Sequence, residues 1–365
     1  MRILITGNMG YIGPILAAHL RRAFPGAYLI GVDSGWFAHC LTTTGTLPEL
    51  SLDEQRFADV RTLQAKDFDS VDAVVQLAAV SNDPMGKRFE AVTDAINHRA
   101  AVSVAEQAAK AGVRNYIFAS SCSIYGYSPD PRARTETDPV NPLTAYARSK
   151  IATEQSLEAA SSSGALPDMV VTCLRFATAC GMSPRLRLDL VLNDFVAGAL
   201  SSREISVLSD GTPWRPLIHV KDMARAIEWA IRRKSEPSGP FLKLNVGSDA
   251  WNYQVADLAE AVGKAIPGTR VSINKDAPPD KRSYKVDFGL YRRLAPNHQP
   301  LENLETAVAG LRDGLGALGF ADNNFRQSQL MRLKVLERHL DQGTLNEDLT
   351  WAASPDAPAG MRHAV

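Results

Sequence analysis

Short apolar runs alternate with longer amphipathic stretches through the first 180 residues of the chain. The apolar runs have the length of strands and lie at residues 2–6, 28–32, 73–77, 116–119 and 170–174. Helical periodicity fills the stretches at residues 11–23, 89–111 and 145–160. Because strands that are apolar throughout are typically buried on both faces, the pattern predicts an α/β fold with a doubly wound parallel sheet.

The pattern loosens after residue 181. We expect further helices near residues 188–200, 221–232, 253–265, 301–318 and 325–340, and a short strand at 205–208. These elements predict a smaller mixed substrate domain over residues 181–340, beside a first domain over residues 1–180. Segments near 215–247 are expected to return to the first domain. Residues 341–365, whose end is proline-rich and poor in apolar side chains, are predicted to be a flexible tail.

Composition and charge narrow the function. Lys and Arg together number 40, as do Asp and Glu, so the formal net charge is zero and nothing global favours nucleic acid or an anionic membrane. No apolar run reaches the roughly 18 residues that a bilayer requires. The chain runs directly from a short strand into a glycine motif, which indicates a cytoplasmic protein. Four cysteines without CxxC pairs or metal-type spacing indicate free thiols and no metal site.

A glycine triplet follows the first predicted strand. Gly7, Gly10 and Gly13 recur every third residue and precede an amphipathic helix. Such a turn lets backbone N–H groups approach a pyrophosphate at the helix N-terminus, although a tight turn without a ligand has the same spacing. Asp33 ends the second strand, where a carboxylate bonds ribose hydroxyls and repels a 2′-phosphate. The two features together predict an NAD site.

Tyr146 and Lys150 lie one helical turn apart and so share one face of a helix. An ammonium beside a phenol is expected to lower the tyrosine pKa, so that the phenol can exchange a proton with a substrate hydroxyl. A serine-rich strand end, Ser120–Ser123, precedes them at the edge of the sheet where ligands bind. A chance surface pair is the alternative, and the order of the three motifs argues against it.

With these motifs the sequence resembles the extended short-chain dehydrogenase/reductase family, in its nucleotide-sugar epimerase/dehydratase branch, over residues 1–340. The motifs that carry the resemblance are Thr6-Gly7-x-x-Gly10-x-x-Gly13, Asp59-Val60, Leu77-Ala78-Ala79, Asn97, Ser121 with Tyr125-Gly126, Tyr146-x-x-x-Lys150, and Arg215-x-x-Ile218-His219-Val220-x-Asp222. The resemblance implies a Rossmann-type first domain, bound NAD and a nucleotide-sugar substrate. It also implies a homodimer through a four-helix bundle, formed by the helices at 89–111 and 145–160.

The resemblance also implies roles for individual residues. Tyr146 would be the acid/base, Lys150 would bind the nicotinamide ribose and tune Tyr146, and Ser121 would bond the reacting sugar oxygen. The implied cofactor-binding residues are Gly7, Gly10, Tyr11, Ile12, Gly13, Asp33, Asp59, Val60, Leu77, Ala78, Ala79, Asn97, Tyr146 and Lys150. The implied substrate-binding residues are Ser81, Ser123, Thr178, Asn193, Arg215 and Arg282. Arg215 and Arg282 look like the pair that clamps the diphosphate, with a solvated surface charge as the alternative for Arg282.

Departures from the family pattern bear on the reaction. In the 4,6-dehydratases the two positions after the catalytic hydroxyl carry an Asp-Glu or similar pair. The decarboxylases keep a Glu at the second of these positions. This chain has Cys122 and Ser123 instead, which disfavours both reactions. Strand alternation predicts that Cys122 packs into the sheet, unlike the acid/base cysteine of 3,5-epimerases. His219, at a strand–helix junction, is expected to be structural.

With dehydration and decarboxylation disfavoured, the reactions left are those that need only a serine, a tyrosine, a lysine and nicotinamide. This set of groups favours C4 epimerisation through a transient 4-keto sugar. Thr178 stands where 4-epimerases carry Asn, which predicts an uncommon sugar. The alternatives are a 4-keto-sugar reductase, a 4,6-dehydratase with an unusual active site, a dehydrogenase of a non-sugar alcohol, and a non-catalytic regulator.

Overall fold

The computed structural model describes residues 1–43, 45–127, 132–277 and 282–353. Within these ranges the strands are β1 (Arg2–Thr6), β2 (Tyr28–Asp33), β3 (Glu54–Phe57), β4 (Ala73–Gln76), β5 (Asn115–Ser121), β6 (Val170–Phe176), β7 (Thr178–Cys180), β8 (Glu204–Val207), β9 (Trp214–His219), β10 (Phe241–Val246), β11 (Asn252–Gln254) and β12 (Arg270–Ile273). The α-helices are α1 (Gly13–Ala23), α2 (Asp83–Arg88), α3 (Glu90–Asp94), α4 (Ala101–Lys110), α5 (Ala145–Ser162), α6 (Val191–Ser201), α7 (Val220–Arg232), α8 (Val255–Ala265), α9 (Gly289–Leu294), α10 (Leu304–Ala317) and α11 (Arg332–Asp341).

Seven strands form a central sheet in the order β10-β6-β5-β4-β1-β2-β3, with every neighbouring pair parallel. The direction of winding reverses at β1, which lies between β2 and β4. The connections after β1 and β4 therefore leave on opposite faces, and a crevice opens between them at the carboxyl edge. The predicted α/β fold with a doubly wound parallel sheet is confirmed.

Both faces of this sheet are buried, as the continuous apolar strands predict. Ile3 and Ile5 belong to the core shared with α1 and α7, while Leu4, pointing to the other face, belongs to the core under α4 and α5. Four alanines of the helix before β5 are buried in the core of this chain; they are Ala100, Ala101, Ala105 and Ala108.

A third core joins α6, α8 and α10 to the two-stranded β8–β12 sheet. A separate three-stranded sheet has the order β11-β9-β7. Among the segments near 215–247, α7 packs against α1 and β10 joins the central sheet, whereas β9 pairs with β7 and β11. In the part of the chain that the structure describes, no helix combines the length and the apolar character needed to cross a bilayer.

Local structure departs from the sequence pattern at three places. The helix predicted at 89–111 is interrupted by a π-helical stretch, Ala95–Ala100, between α3 and α4. The edge strand β3, with the polar sequence Glu-Gln-Arg-Phe, was not predicted because it lacks apolar alternation. Strand β5 ends at Ser121, and Cys122–Tyr125 form a 3₁₀ turn rather than an extended continuation.

The predicted flexible tail is wrong for its first part. Leu345 and Leu349 are buried in the core under α4, and the indole N–H of Trp351 donates to the carbonyl of Ser34 at 2.6 Å. These apolar side chains are too widely spaced to produce a recognisable helix or strand pattern, and they therefore looked like a linker. Residues 354–365 of the predicted tail lie outside the described residues.

Candidate active site

A cavity of about 1200 Å³ opens at the carboxyl edge of the central sheet, where the winding reverses. The turns after β1, β2, β4 and β5 form one side, and residues of α6, β9 and the segment before α11 form the other. The predicted cofactor residues on its wall are Gly7, Gly10, Tyr11, Ile12, Asp33, Asp59, Val60, Leu77, Ala78, Ala79, Tyr146 and Lys150. Sequence positions far apart thus converge on one site.

The glycine turn fits a dinucleotide. Gly7 has a φ of +70°, and a Cβ there would lie 2.6 Å from the backbone nitrogen of Ala78, so a side chain is excluded. A Cβ at Gly10 would meet only the carbonyl of Gly7 within 4 Å, so its backbone is open to the cavity. Backbone N–H groups at the start of α1 can therefore approach a pyrophosphate.

Asp33 is fixed from two sides. One carboxylate oxygen accepts from the backbone N–H of Met9 at 2.9 Å, and the other from that of Gly35 at 2.7 Å. Burial raises the pKa of Asp33, and these two hydrogen bonds act against that rise. Each oxygen retains a lone pair, so the carboxylate can still accept hydrogen bonds from ribose hydroxyls.

Two predicted cofactor residues do not line the cavity. A Cβ at Gly13 would lie 1.9 Å from the carbonyl oxygen of Asn8, so Gly13 serves the packing of the turn. Asn97 is buried and holds the loop after β4, with its side chain bonding both the N–H and the carbonyl of Val80 and the hydroxyl of Ser149. Both residues position the wall rather than form it.

Ser121, Tyr146 and Lys150 meet on one wall of the cavity. The hydroxyl of Ser121 donates to that of Ser123 at 2.9 Å, and the neighbouring Ser121 acts to lower the pKa of Tyr146. The Lys150 amine donates to the carbonyl of Ala119 at 2.8 Å and lies 5.5 Å from the centre of the Tyr146 ring. A hydroxyl, a phenol and an amine therefore lie together on one wall of the cavity.

The expected lowering of the Tyr146 pKa is not found. Burial raises it to about 12, against lowering contributions from Ser121 and Arg187. Burial also lowers the pKa of Lys150 to about 7, because desolvation penalises the ammonium. Tyr146 is accordingly a protonated phenol at neutral pH in this structure. Desolvation, which helical spacing does not reveal, outweighs the lowering expected from a neighbouring ammonium.

The predicted substrate residues divide in a similar way. Those on the cavity wall are Ser81, Ser123, Thr178, Arg215 and Arg282. Asn193 is not on the wall, because its amide accepts from the N–H of Gly181 and donates to the carbonyl of Arg187. Asn193 thus fixes the segment between β7 and α6.

Three Arg–Asp pairs on the described part of the wall were missed as pairs by the sequence analysis. They are Asp83 with Arg282, Asp189 with Arg187, and Asp194 with Arg326. The Arg187 pair is bidentate at 2.8 and 3.0 Å, and the same guanidinium donates to the Ser81 hydroxyl at 2.7 Å. The pair of Arg187 and Asp189 could have been predicted, because the two residues are close in sequence. The partners in the other two pairs are far apart in sequence.

Cys122 packs away from the cavity. Its thiol donates to the carbonyl of Arg175 at 3.0 Å, and burial raises its pKa well above the usual range. The predicted burial is found, although a 3₁₀ turn rather than strand alternation produces it. His219 caps α7 by accepting from the N–H of Lys221. Within the described ranges no cluster of His, Cys, Asp and Glu could hold a metal ion.

Comparisons with known proteins agree with this geometry. The model of the NAD dependent epimerase/dehydratase family matches residues 3–247. Protein CapI of Staphylococcus aureus is 28% identical over 284 residues, covering 72% of this chain and 82% of that protein. The uncharacterized UDP-glucose epimerase YtcB of Bacillus subtilis is 26% identical over 271 residues, with the same shares covered. The structure of MoeE5 with UDP-glucose and NAD superimposes with a TM-score of 0.72 at 25% identity, covering 87% of this chain and 99% of that chain.

Proposed function

The chain belongs to the NAD dependent epimerase/dehydratase family, and from that premise we propose that it is an NAD-dependent nucleotide-sugar 4-epimerase. The observation that carries the proposal is the wall formed by Ser121, Tyr146 and Lys150, with no carboxyl group at the two positions after Ser121. This set supports oxidation and re-reduction at one carbon.

Bound NAD⁺ would supply a hydride acceptor beside this wall. Tyr146 then exchanges a proton with the C4 hydroxyl of the sugar, and the hydroxyl of Ser121 on the same wall orients that sugar hydroxyl. The positive charge of Arg187 acts to lower the pKa of Tyr146 and so favours the phenolate form that takes up the proton. Tyr146 returns the proton when the 4-keto sugar is reduced on its other face.

Elimination of water from the sugar is disfavoured because the carboxylates on the cavity wall are paired with arginines. A dehydratase needs a carboxylic acid that donates a proton to the departing hydroxyl. Asp83, Asp189 and Asp194 line the cavity, but each carboxylate is already paired with a guanidinium. Cys122 is buried, and Ser123 is too weak an acid.

A nucleotide diphosphate fits the opposite side of the cavity. Arg215 and Arg282 lie on that wall, and a guanidinium binds phosphate oxygens through two donors. The likeness to MoeE5, whose structure contains UDP-glucose and NAD, supports both the cofactor and the substrate class.

A homodimer through α4 and α5 is part of the proposal. The two helices cover the same face of the sheet and pack against each other. Sedimentation equilibrium tests this, with a dimer expected and a monomer at micromolar concentration contradicting it.

The function is tested on protein purified without added nucleotide. An epimerase regenerates its cofactor in each cycle, so we expect bound NAD(H) and the interconversion of two C4-epimeric sugar nucleotides without net change in NADH absorbance. UDP-, GDP-, CDP- and TDP-sugars identify the nucleotide. Stoichiometric NADH consumption with a 4-keto sugar nucleotide would establish the reductase instead. Water loss detected by mass spectrometry would establish a dehydratase.

A further inference from the structure

Arg332, the first residue of α11, places a buried guanidinium on the cavity wall. The side chain is 1% exposed and donates to the carbonyls of Gln329 at 3.2 Å and Arg185 at 2.8 Å. Its guanidinium carbon lies 4.9 Å from the centre of the Phe37 ring. These neutral contacts fix the group in one orientation.

The charge of Arg332 is not neutralised within the described chain. No described carboxylate pairs with it, whereas the neighbouring Arg185 and Arg187 pair with Glu49 and Asp189. Burial lowers the pKa of Arg332 to about 10, so the group still carries its proton at neutral pH. A buried charge without a counter-ion destabilises the folded protein, because the guanidinium loses its hydration. The carbonyls and the aromatic face offset part of that loss. An anionic ligand in the cavity would complete the compensation.

The position of Arg332 indicates which anionic ligand would compensate its charge. Phe37 belongs to the loop that follows Asp33, the residue that faces the ribose in the proposed cofactor site. The segment containing Arg185 also contains Ser183, whose hydroxyl donates to the carbonyl of Tyr11 in the glycine turn at 2.7 Å. Arg332 therefore contacts both the loop after Asp33 and, through the carbonyl of Arg185, the segment that is hydrogen-bonded to the glycine turn. The anionic group of a dinucleotide between those two points is its pyrophosphate.

We propose that Arg332 binds the pyrophosphate of NAD, so that the segment before and within α11 completes the cofactor site. This inference rests on the proposed NAD site. Arg332 lies beyond residues 3–247, the part of the chain that the family model matches. The family match therefore assigns no role to it.

The experiment compares wild type with Arg332→Met by isothermal titration of the full chain, after bound nucleotide has been removed. NADH and ADP-ribose carry the cofactor pyrophosphate, and UDP carries the diphosphate of a substrate. We expect Arg332→Met to lose about tenfold or more in affinity for NADH and ADP-ribose and to keep its affinity for UDP. Arg332→Gln, which keeps a donor for a carbonyl partner, should show the same loss.

Arg326→Met is the matched control, because Arg326 also lines the cavity but pairs with Asp194. Its affinity for ADP-ribose should equal that of wild type. Unchanged affinity of both Arg332 variants for ADP-ribose would overturn the inference, as would a loss confined to UDP. Wild type that binds UDP but not NADH would overturn the proposed cofactor, and the inference with it.

Discussion

The amine of Lys150 lies 5.5 Å from the centre of the Tyr146 ring and is held there by the carbonyl of Ala119. Lys150 is buried and Tyr146 lines the cavity, and desolvation shifts their pKa values toward the neutral forms, to about 7 for Lys150 and about 12 for Tyr146. Burying the Lys150 ammonium therefore lowers the stability of the folded protein, by an amount that depends on pH.

Lys150→Met should stabilise the protein at pH 7 and lose that advantage as the pH approaches 10. The lysine pKa is about 7 in the folded state and 10.5 without burial, so the unfolded chain binds more protons across this window. Wild type consequently gains stability as the pH rises through it. Urea unfolding at several pH values measures the effect. Lys243→Met, at a half-exposed ion pair, should show no such trend, and a constant difference for Lys150→Met would contradict the argument.

Tyr146→Phe should reduce turnover by about a hundredfold or more, because only the group that transfers the proton is removed. Its affinity for NADH, measured by titration, should be nearly unchanged. Tyr28→Phe, on a tyrosine at the exposed start of β2, is the control and should behave as wild type. Near-normal turnover in Tyr146→Phe would remove this residue from the mechanism.

NADH should bind more tightly than NADPH, because the carboxylate of Asp33 would face the 2′-phosphate with like charge. Asp33→Asn keeps the shape of the side chain and should narrow the difference between the two affinities. Competitive titration of the two cofactors measures the ratio. Equal affinities in wild type would mean that Asp33 does not reach the ribose.

Cys122→Ala should retain turnover within about twofold, since the thiol is buried and donates to a backbone carbonyl away from the cavity. Initial rates with the sugar-nucleotide substrate measure this. If turnover disappears while the unfolding transition is unchanged, Cys122 is an acid/base, and epimerisation at C3 or C5 must be considered again.

Glu154→Gln should destabilise the protein by about 3–5 kcal/mol, because it leaves the buried guanidinium of Arg175 without its counter-ion. Glu158→Gln removes the same kind of group from a partly exposed pair with Lys243 and should cost about 0–1 kcal/mol. Urea unfolding gives both values. Equal costs for the two variants would contradict the distinction between buried and exposed pairs.

The parts of the site that could be predicted from the sequence are those whose residues lie close together in the chain. The glycine turn and the Tyr146/Lys150 pair depend on residues within a few positions of one another, whose geometry a turn or a helix determines. Asp33 follows from the end of a recognisable strand. The parallel sheet was equally readable, because its strands are apolar throughout.

The remaining features depend on tertiary contacts. Asp83 and Arg282 meet across the cavity only because the fold brings α2 and the C-terminal part together. The pKa shift of Tyr146 is set by burial, which the sequence does not state, and so its direction was predicted wrongly. Arg332 belongs to a segment whose packing beside the loop after Asp33 has no local signature.

The hydrogen bond from Trp351 to Ser34 joins positions 317 residues apart in the sequence. Because a ribosome makes the chain from its N-terminus, the glycine turn and the loop after β2 emerge before Trp351 does. During synthesis this loop has no contact with Trp351 until the segment after α11 has emerged. The proposed cofactor site therefore begins to form early in translation, and the loop after β2 gains this hydrogen bond only from a residue made much later.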